Sequence, residues 1–204
     1  MYFSFLEDYK IAYEFVDKQR VKSIGRLRHL FYTLPEFQIQ EAINTFNPFP
    51  EELKIFYNEI GFGFMNRAKL GKFDNLFDPM TLIYTNNQIN FFATPETADE
   101  LKYYNIEKQL LFCKTISNRY IAIDRDTVQG KNKIYYRGVE IEDSLYSFLK
   151  HVDYDRYYLT GLVDFMDYEQ EKKVKKLEKE EEKKKMKSQE KVKYLGGHRL
   201  IDKD

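Results

Sequence analysis

FPEELKIFYNEIGFGFMNR, from Phe49 to Arg67, contains two different periodicities on either side of one glycine. Leu53, Phe56, Tyr57 and Ile60 fall at i, i+3, i+4 and i+7, which is one stripe of a helix. Pro50 suits its first turn, where a missing N–H is harmless. Glu51 and Glu52 lie at the positive end of the helix dipole. Gly61 fits the left-handed position that closes a helix, and Gly63 extends that freedom into the turn. FGFMNR then alternates as a strand does. The stretch therefore predicts a helix-to-sheet joint built for packing, with no nucleophile, metal ligand or phosphate cradle in it.

The same spacing extends upstream. Ile39, Ala42, Ile43 and Phe46 make a second helical stripe, ended by the loop NTFNPFP. Leu34-Pro35 breaks the chain before it. Leu6, Tyr9, Tyr13 and Val16 predict a helix over Phe5 to Val21, and Ile24, Leu27 and Phe31 continue a helical spacing. Downstream, KFDNLFDPM reads as a strand followed by Asp78 as the cap of a short helix. In TLIYTNNQINFF the Asp-Pro start favours that helix over a hairpin turning at Asn86-Asn87. TPETADELKYYN is a polar loop with one helical turn.

Three strands follow: QLLFCKT, RYIAID and NKIYYRG. They are joined by a tight turn at Ile116–Asn118 and another at Gln129-Gly130, so they predict an antiparallel meander. Asp143 or Ser144 caps a further helix, in which Leu145, Phe148, Leu149 and Val152 repeat the i, i+3, i+4, i+7 pattern and Lys150 and His151 favour the dipole in the last turn. This helix should lie across one face of the sheet and close the core. Beyond Val152 comes an aromatic, helical stretch. After it a charged run carries i, i+4 pairs such as Glu171–Lys175, with only a trace of apolar stripe at Val174 and Leu177. A solvated helix or tail is the plain reading of that run; contact with a partner or with nucleic acid is the other.

Lys plus Arg and Asp plus Glu both total 33, so the net charge is zero. That argues against a dedicated nucleic-acid binder. The balance conceals an asymmetry, because Glu169 to Lys193 holds 11 Lys and 7 Glu. The tail is mildly basic and the remainder mildly acidic. With 17 Tyr and 17 Phe, most Tyr are expected at the edge of the core, a surface that meets another protein being the alternative for part of them. Cys113 is the only cysteine, which suits a reducing, cytoplasmic setting. The acidic start MYFSFLEDYK does not read as a signal peptide, and no apolar run is long enough to span a membrane.

Reactive chemistry is sparse. His29, His151 and His198 lie in three separate segments, and one cysteine cannot supply a zinc cluster. A Cys113–His nucleophile pair is conceivable, but Cys113 inside LLFCKT reads as a small buried hydrophobe. DRDTVQG begins like a calcium loop yet lacks its later ligands, so a hairpin turn is the better reading. GFGF has no lysine and precedes a strand, the wrong order for a phosphate site. Asp74 and Asp78 could pair as carboxylates only if their segment were helical. No catalytic residue, metal or cofactor is expected.

FPEELKIFYNEIGFGFMNR, LFDPMTL and LLFCKT…RYIAID…KIYYRGVEIEDSLYSFLKHV together, in that order, resemble the SUKH superfamily, which includes bacterial immunity proteins and a fungal cell-wall signalling regulator. The resemblance covers Glu36 to Val152. It implies an α+β domain, an antiparallel or mixed sheet with helices packed around it. Flanking it would be an N-terminal helical extension over 1–35 and, over 153–204, an aromatic helix with a long charged C-terminal tail. It also implies structural roles for Pro50, Leu53, Phe56, Tyr57, Gly61, Asp78, Pro79, Asp124, Leu145 and Phe148. By the same resemblance the function is recognition, with a cognate protein toxin, often a nuclease, as the partner. A regulatory or scaffold protein docking through its surface and tail is the alternative. Asp74, Arg119, Glu140 and Glu142 are the expected partner contacts, on a mildly acidic, tyrosine-bearing surface.

Overall fold

The computed structural model describes residues 1–11, 27–67, 73–88 and 100–196, with the side chains of its last helix as far as Lys187. Eight strands form one sheet in chain order: β1 (Lys10–Ile11), β2 (Leu30–Tyr32), β3 (Phe62–Met65), β4 (Asp74–Leu76), β5 (Gln109–Lys114), β6 (Tyr120–Asp124), β7 (Ile134–Tyr136) and β8 (Val139–Glu142). Only β1 and β2 run parallel; every other pairing is antiparallel. Among the described residues five α-helices accompany them: α1 (Glu36–Thr45), α2 (Glu51–Glu59), α3 (Pro79–Gln88), α4 (Leu145–Tyr154) and α5 (Tyr158–Gly196). The fold is α+β, as expected. It divides into two compact units, Met1–Gly161 and Leu162–Asp204.

The joint after α2 shows why glycine is required there. Gly61 has φ +114°, and a Cβ on it would lie 1.9 Å from the Tyr32 carbonyl oxygen. A Cβ on Gly63 would lie 2.0 Å from the Leu30 oxygen. Both glycines thus let β3 approach β2, whose Phe31 stands opposite Gly63. The stripe of α2 is buried as its spacing demands: Leu53, Phe56, Tyr57 and Ile60 are all at most 2% exposed. The Tyr57 hydroxyl donates to the Phe77 carbonyl at 2.8 Å, so its one polar atom is satisfied inside the core.

Asp78 caps α3, accepting from the Met80 and Thr81 amides at 2.9 and 3.0 Å. Asn86 and Asn87 lie within this helix rather than in a hairpin. Asn86 has a further task. Pairing between β5 and β6 slips between Leu111 and Cys113, and β4 pairs with β5 only at Cys113 and Lys114, so it does not reach Leu111. The Asn86 amide accepts from the Leu111 N–H at 2.9 Å and donates to its carbonyl at 3.0 Å. Ser144 caps α4, accepting from the Ser147 amide. Leu145, Phe148, Leu149 and Val152 of that helix are buried. Each such side chain contributes about 1.5–3 kcal/mol when fully buried.

Two expectations are corrected. The predicted helix over Phe5–Val21 is a 3-10 helix over Ser4–Tyr9 followed by β1, and its remainder lies outside the described residues. Of the helical spacing predicted at Ile24, Leu27 and Phe31, Phe31 belongs instead to β2, Leu27 precedes that strand, and Ile24 lies outside the described residues. Sheet pairing overrides the local pattern here: a helix would leave the outer backbone groups of β3 unpaired. Phe3 and Leu6, both buried, seat the start of the chain against the body, and the Phe3 and Phe56 rings meet edge-on at 5.4 Å. β8 was not foreseen. It follows a two-residue turn at Arg137 (φ +48°) and Gly138 (φ +75°), the same left-handed pair that Gln129 (φ +53°) and Gly130 (φ +78°) use one hairpin earlier. The expected polar loop reaches the described residues only from Glu100, and the final Gly197 to Asp204 lie outside them.

Candidate binding surface

Helix α2 fastens the body through two glutamates seven residues apart, hence on one face. The buried Glu52 carboxylate accepts from the backbone amides of Asn132 at 2.7 Å, Leu145 at 3.0 Å and Tyr146 at 3.2 Å, and from the Tyr2 hydroxyl at 3.2 Å. Its own amide donates to Asn132 Oδ1 at 3.0 Å. Glu52 therefore supplies a charge and acceptors to the open N-terminus of α4, in addition to the Ser144 cap. At the other end, Glu59 accepts from the Tyr2 and Phe3 amides, both at 2.8 Å. Sequence reasoning placed Glu52 only in the dipole of its own helix. The available signal was its position four residues before the buried Phe56, on the core face.

The C-terminus of α4 is held from the bend that precedes β2. Arg28 donates to the Asp153 carbonyl at 2.6 Å and also to the Val152 carbonyl, placing a cation at the negative end of the helix. Next to it, His29 is 1% exposed, and its Nδ1 accepts from the Asn66 amide at 3.3 Å. Burial, helped by the Arg28 charge, pulls its pKa down to about 3. His29 is therefore a neutral core residue.

The four expected contact residues fall in two places. Asp74 and Arg119 meet at the β5–β6 turn. Asp74 is 1% exposed, and it accepts from the Ile116 amide at 2.8 Å and from Asn66 Nδ2 at 3.1 Å. Burial raises its pKa, and these two hydrogen bonds oppose that. Its carboxylate braces the turn from inside. Arg119 is part-exposed and lies 3.9 Å from the buried Glu100 carboxylate. Glu140 and Glu142 lie on β8, with β5, β6 and β7 between them and Asp74. Glu140 is exposed and pairs with Lys133 at 2.6 Å. Glu142, expected as a partner contact, has a side chain only 13% exposed. It contacts His151 Nδ1 at 2.5 Å and accepts from the Tyr158 hydroxyl at 2.6 Å. Burial and this carboxylate both hold the Tyr158 pKa far above its ordinary value. Asp143, beside it, pairs with Lys131.

No single pocket gathers these groups. Glu140 and Glu142 lie on β8, the last strand of the sheet, whose outer edge carries Val139, 49% exposed. An edge strand offers unpaired backbone groups to another chain, and charges on it restrain self-association. A second exposed feature, missed in the sequence, joins the start of the chain to α4. Tyr146 packs on Tyr2 at 5.1 Å and on Phe5 at 5.4 Å, with the Lys150 ammonium over the Phe5 and Tyr146 rings. Its legible part was the i, i+4 pair Tyr146–Lys150.

Catalytic geometry is not assembled among the described residues. Cys113 is fully buried, and desolvation, with the Asp74 charge second, pushes its thiol pKa well up. A thiol so placed is a poor nucleophile. His29 and His151 have the partners given above, and His198 lies outside the described residues. The DRDTVQG segment is a turn, pinned by Asn132 Nδ2 donating to the Asp124 and Asp126 carbonyls, both at 3.2 Å. Among the described residues no group of three or more His, Cys, Asp or Glu could hold a metal ion, and no helix is long and apolar enough to cross a membrane.

An α+β platform with an open sheet edge offers backbone groups on which another chain can dock. Over 139 residues the chain is 30% identical to "Immunity protein YxxD" of Bacillus subtilis (strain 168), a match that takes in 66% of this chain and 90% of that protein. The chain belongs to the family of that immunity protein. No family model matches it, and no solved structure matches it.

Proposed function

We propose that this protein is an immunity protein that acts in the cytoplasm by binding a cognate protein toxin and blocking it, with no catalysis of its own. The relationship to the Bacillus subtilis immunity protein carries this reading, because it spans nearly the whole of that relative. The sequence motifs support the finer proposal that this family is a branch of the SUKH superfamily and that the toxin is a nuclease.

Contact is proposed through the open edge of β8 and its surroundings. Glu140 stands on that edge and Arg119 at the neighbouring turn; Glu142 and Asp74 act from behind, by holding β8 and the turn in place. A stable complex would bury about 1,200–2,000 Å² in total. Val139, exposed on the edge, supplies apolar area, and Glu140 favours approach of a basic partner. The test is co-expression with the product of the adjacent open reading frame as the candidate toxin. The expected result is restored growth and a stoichiometric complex on gel filtration. A toxin that stays fully active and elutes alone overturns the proposal.

A scaffold role has one observation in its favour: the chain beyond Gly161 forms a compact unit of its own. Truncation after Gly161 separates the two readings. Protection that survives the truncation supports the immunity role; partner binding that disappears with the tail supports the scaffold.

A further inference from the structure

The charges of α5 are sorted by face. At about 3.6 residues per turn, Lys172, Lys175, Lys176, Lys179, Lys183 and Lys187 fall within about a third of the helix circumference, and all six are exposed. Glu178, Glu180, Glu181 and Glu182 fall on the flanks and the far side. A helix laced with salt bridges for solubility alternates charge along each face instead. Glu169 and Glu171 lie 3.7 Å from Lys172 and Lys175. The four lysines farther along have no ion pair among the described residues. A concavity follows the same face, lined by Tyr168, Glu171, Lys172, Lys175, Lys176 and Lys179.

We propose that this lysine face of α5 binds the phosphate backbone of nucleic acid without reading its sequence. Three physical arguments select that partner. First, the basic residues of the face are all lysine, with no arginine, and lysine is depleted from the cores of protein interfaces, where aromatic residues and arginine dominate. Second, the opposite face, with Gln170, Val174, Leu177 and Glu181, is not the continuous apolar stripe that a membrane-surface helix needs. Third, Lys172 to Lys187 spans about 22 Å at 1.5 Å per residue. Over that length one strand of a duplex presents about six phosphates. Zero net charge over the whole chain is no obstacle, because the field is local and screened beyond about 8–10 Å. The inference is independent of the toxin reading.

The experiment is fluorescence anisotropy of the full chain with a labelled DNA duplex of arbitrary sequence, repeated over a range of salt. Binding should weaken linearly on a log–log plot, with a slope of about −4 to −5. A Lys176→Glu/Lys179→Glu/Lys183→Glu variant should bind at least about ten-fold more weakly, with the slope reduced by about 3. The uncharged variant Lys176→Gln/Lys179→Gln/Lys183→Gln, with helicity checked by circular dichroism, guards against loss of the helix itself. Lys173→Gln/Lys184→Gln/Lys185→Gln removes as many charges away from the face and should weaken binding less. Three results would overturn the proposal: no salt-dependent binding, equal loss from both lysine triplets, or preference for polyglutamate over the duplex.

Discussion

Within Met1–Gly161, several acidic side chains fix the local geometry of the fold. Glu52 gathers three backbone amides and a tyrosine hydroxyl, Asp74 braces a turn, and Asp78 caps α3. Along α5 past Gly161 the same residue types stand exposed, and their ion pairs are surface pairs one helical turn apart. The contrast teaches that charge content says little about what a charge does. In the body a carboxylate fixes geometry, since an amide left buried without its acceptor costs about 1–3 kcal/mol. On the helix the charges only set a field.

Glu52→Ala gives the sharpest contrast. It strands the amides of Asn132, Leu145 and Tyr146 and should lower the unfolding free energy by about 3–5 kcal/mol, read from urea unfolding with an unchanged slope. Glu178→Ala on α5 should change it by less than about 0.5 kcal/mol. Comparable losses from both would break the distinction.

Gly61→Ala comes next. The new Cβ would collide with the Tyr32 carbonyl at a φ that alanine avoids, so the β2–β3 pairing must open. A loss of about 2–4 kcal/mol is expected, visible as faster exchange of the β2 and β3 amides. Gly161→Ala meets nothing within 4 Å and should be neutral or slightly stabilising.

His29 adds a pH dependence to the body. Its folded pKa of about 3 lies below the ordinary 6.5, so between those values the unfolded chain binds the extra proton. Its contribution is therefore complete above pH 6.5 and is lost as pH falls toward 3, at up to about 1.4 kcal/mol per pH unit. Unfolding of the wild type and of His29→Gln should converge across that window. Parallel curves would show that His29 does not carry the slope.

How much of this was legible follows from the range of the interactions. The stripes of α1, α2 and α4, the Asp78 cap and the turn at Gln129-Gly130 are local, and their residues announced them. β1, β2 and β8 are short and owe their existence to neighbouring strands, so helical spacing at Phe31 misled where pairing with β3 decided. Glu52 is the same lesson at a single residue, because its partners lie 80 and more positions away. Of the expected contact residues, Glu140 and Arg119 were legible as surface groups. The burial of Asp74 was not, since it depends on a turn 42 residues distant.

Ser144→Ala tests a local charge-free anchor in the body. The lost cap of α4 should cost about 1 kcal/mol, less than Glu52→Ala because Glu52 still faces the same helix terminus. In the Glu52→Ala background the Ser144 effect should grow, since the two serve one helix terminus through different amides; simple additivity would show that they act independently.

The smallest effect belongs to α5. Glu171 and Lys175 stand 3.7 Å apart with both side chains about 70% exposed, so a double-mutant cycle to alanine should give a coupling of about 0.3 kcal/mol that vanishes at high salt. The helix signal is the readout, because the pair lies outside the body and should leave its unfolding midpoint unmoved. If removing the pair shifted that midpoint as well, the charges of α5 would be acting on the fold of the body, and the division between charges that fix geometry and charges that set a field would fail where it is drawn most simply.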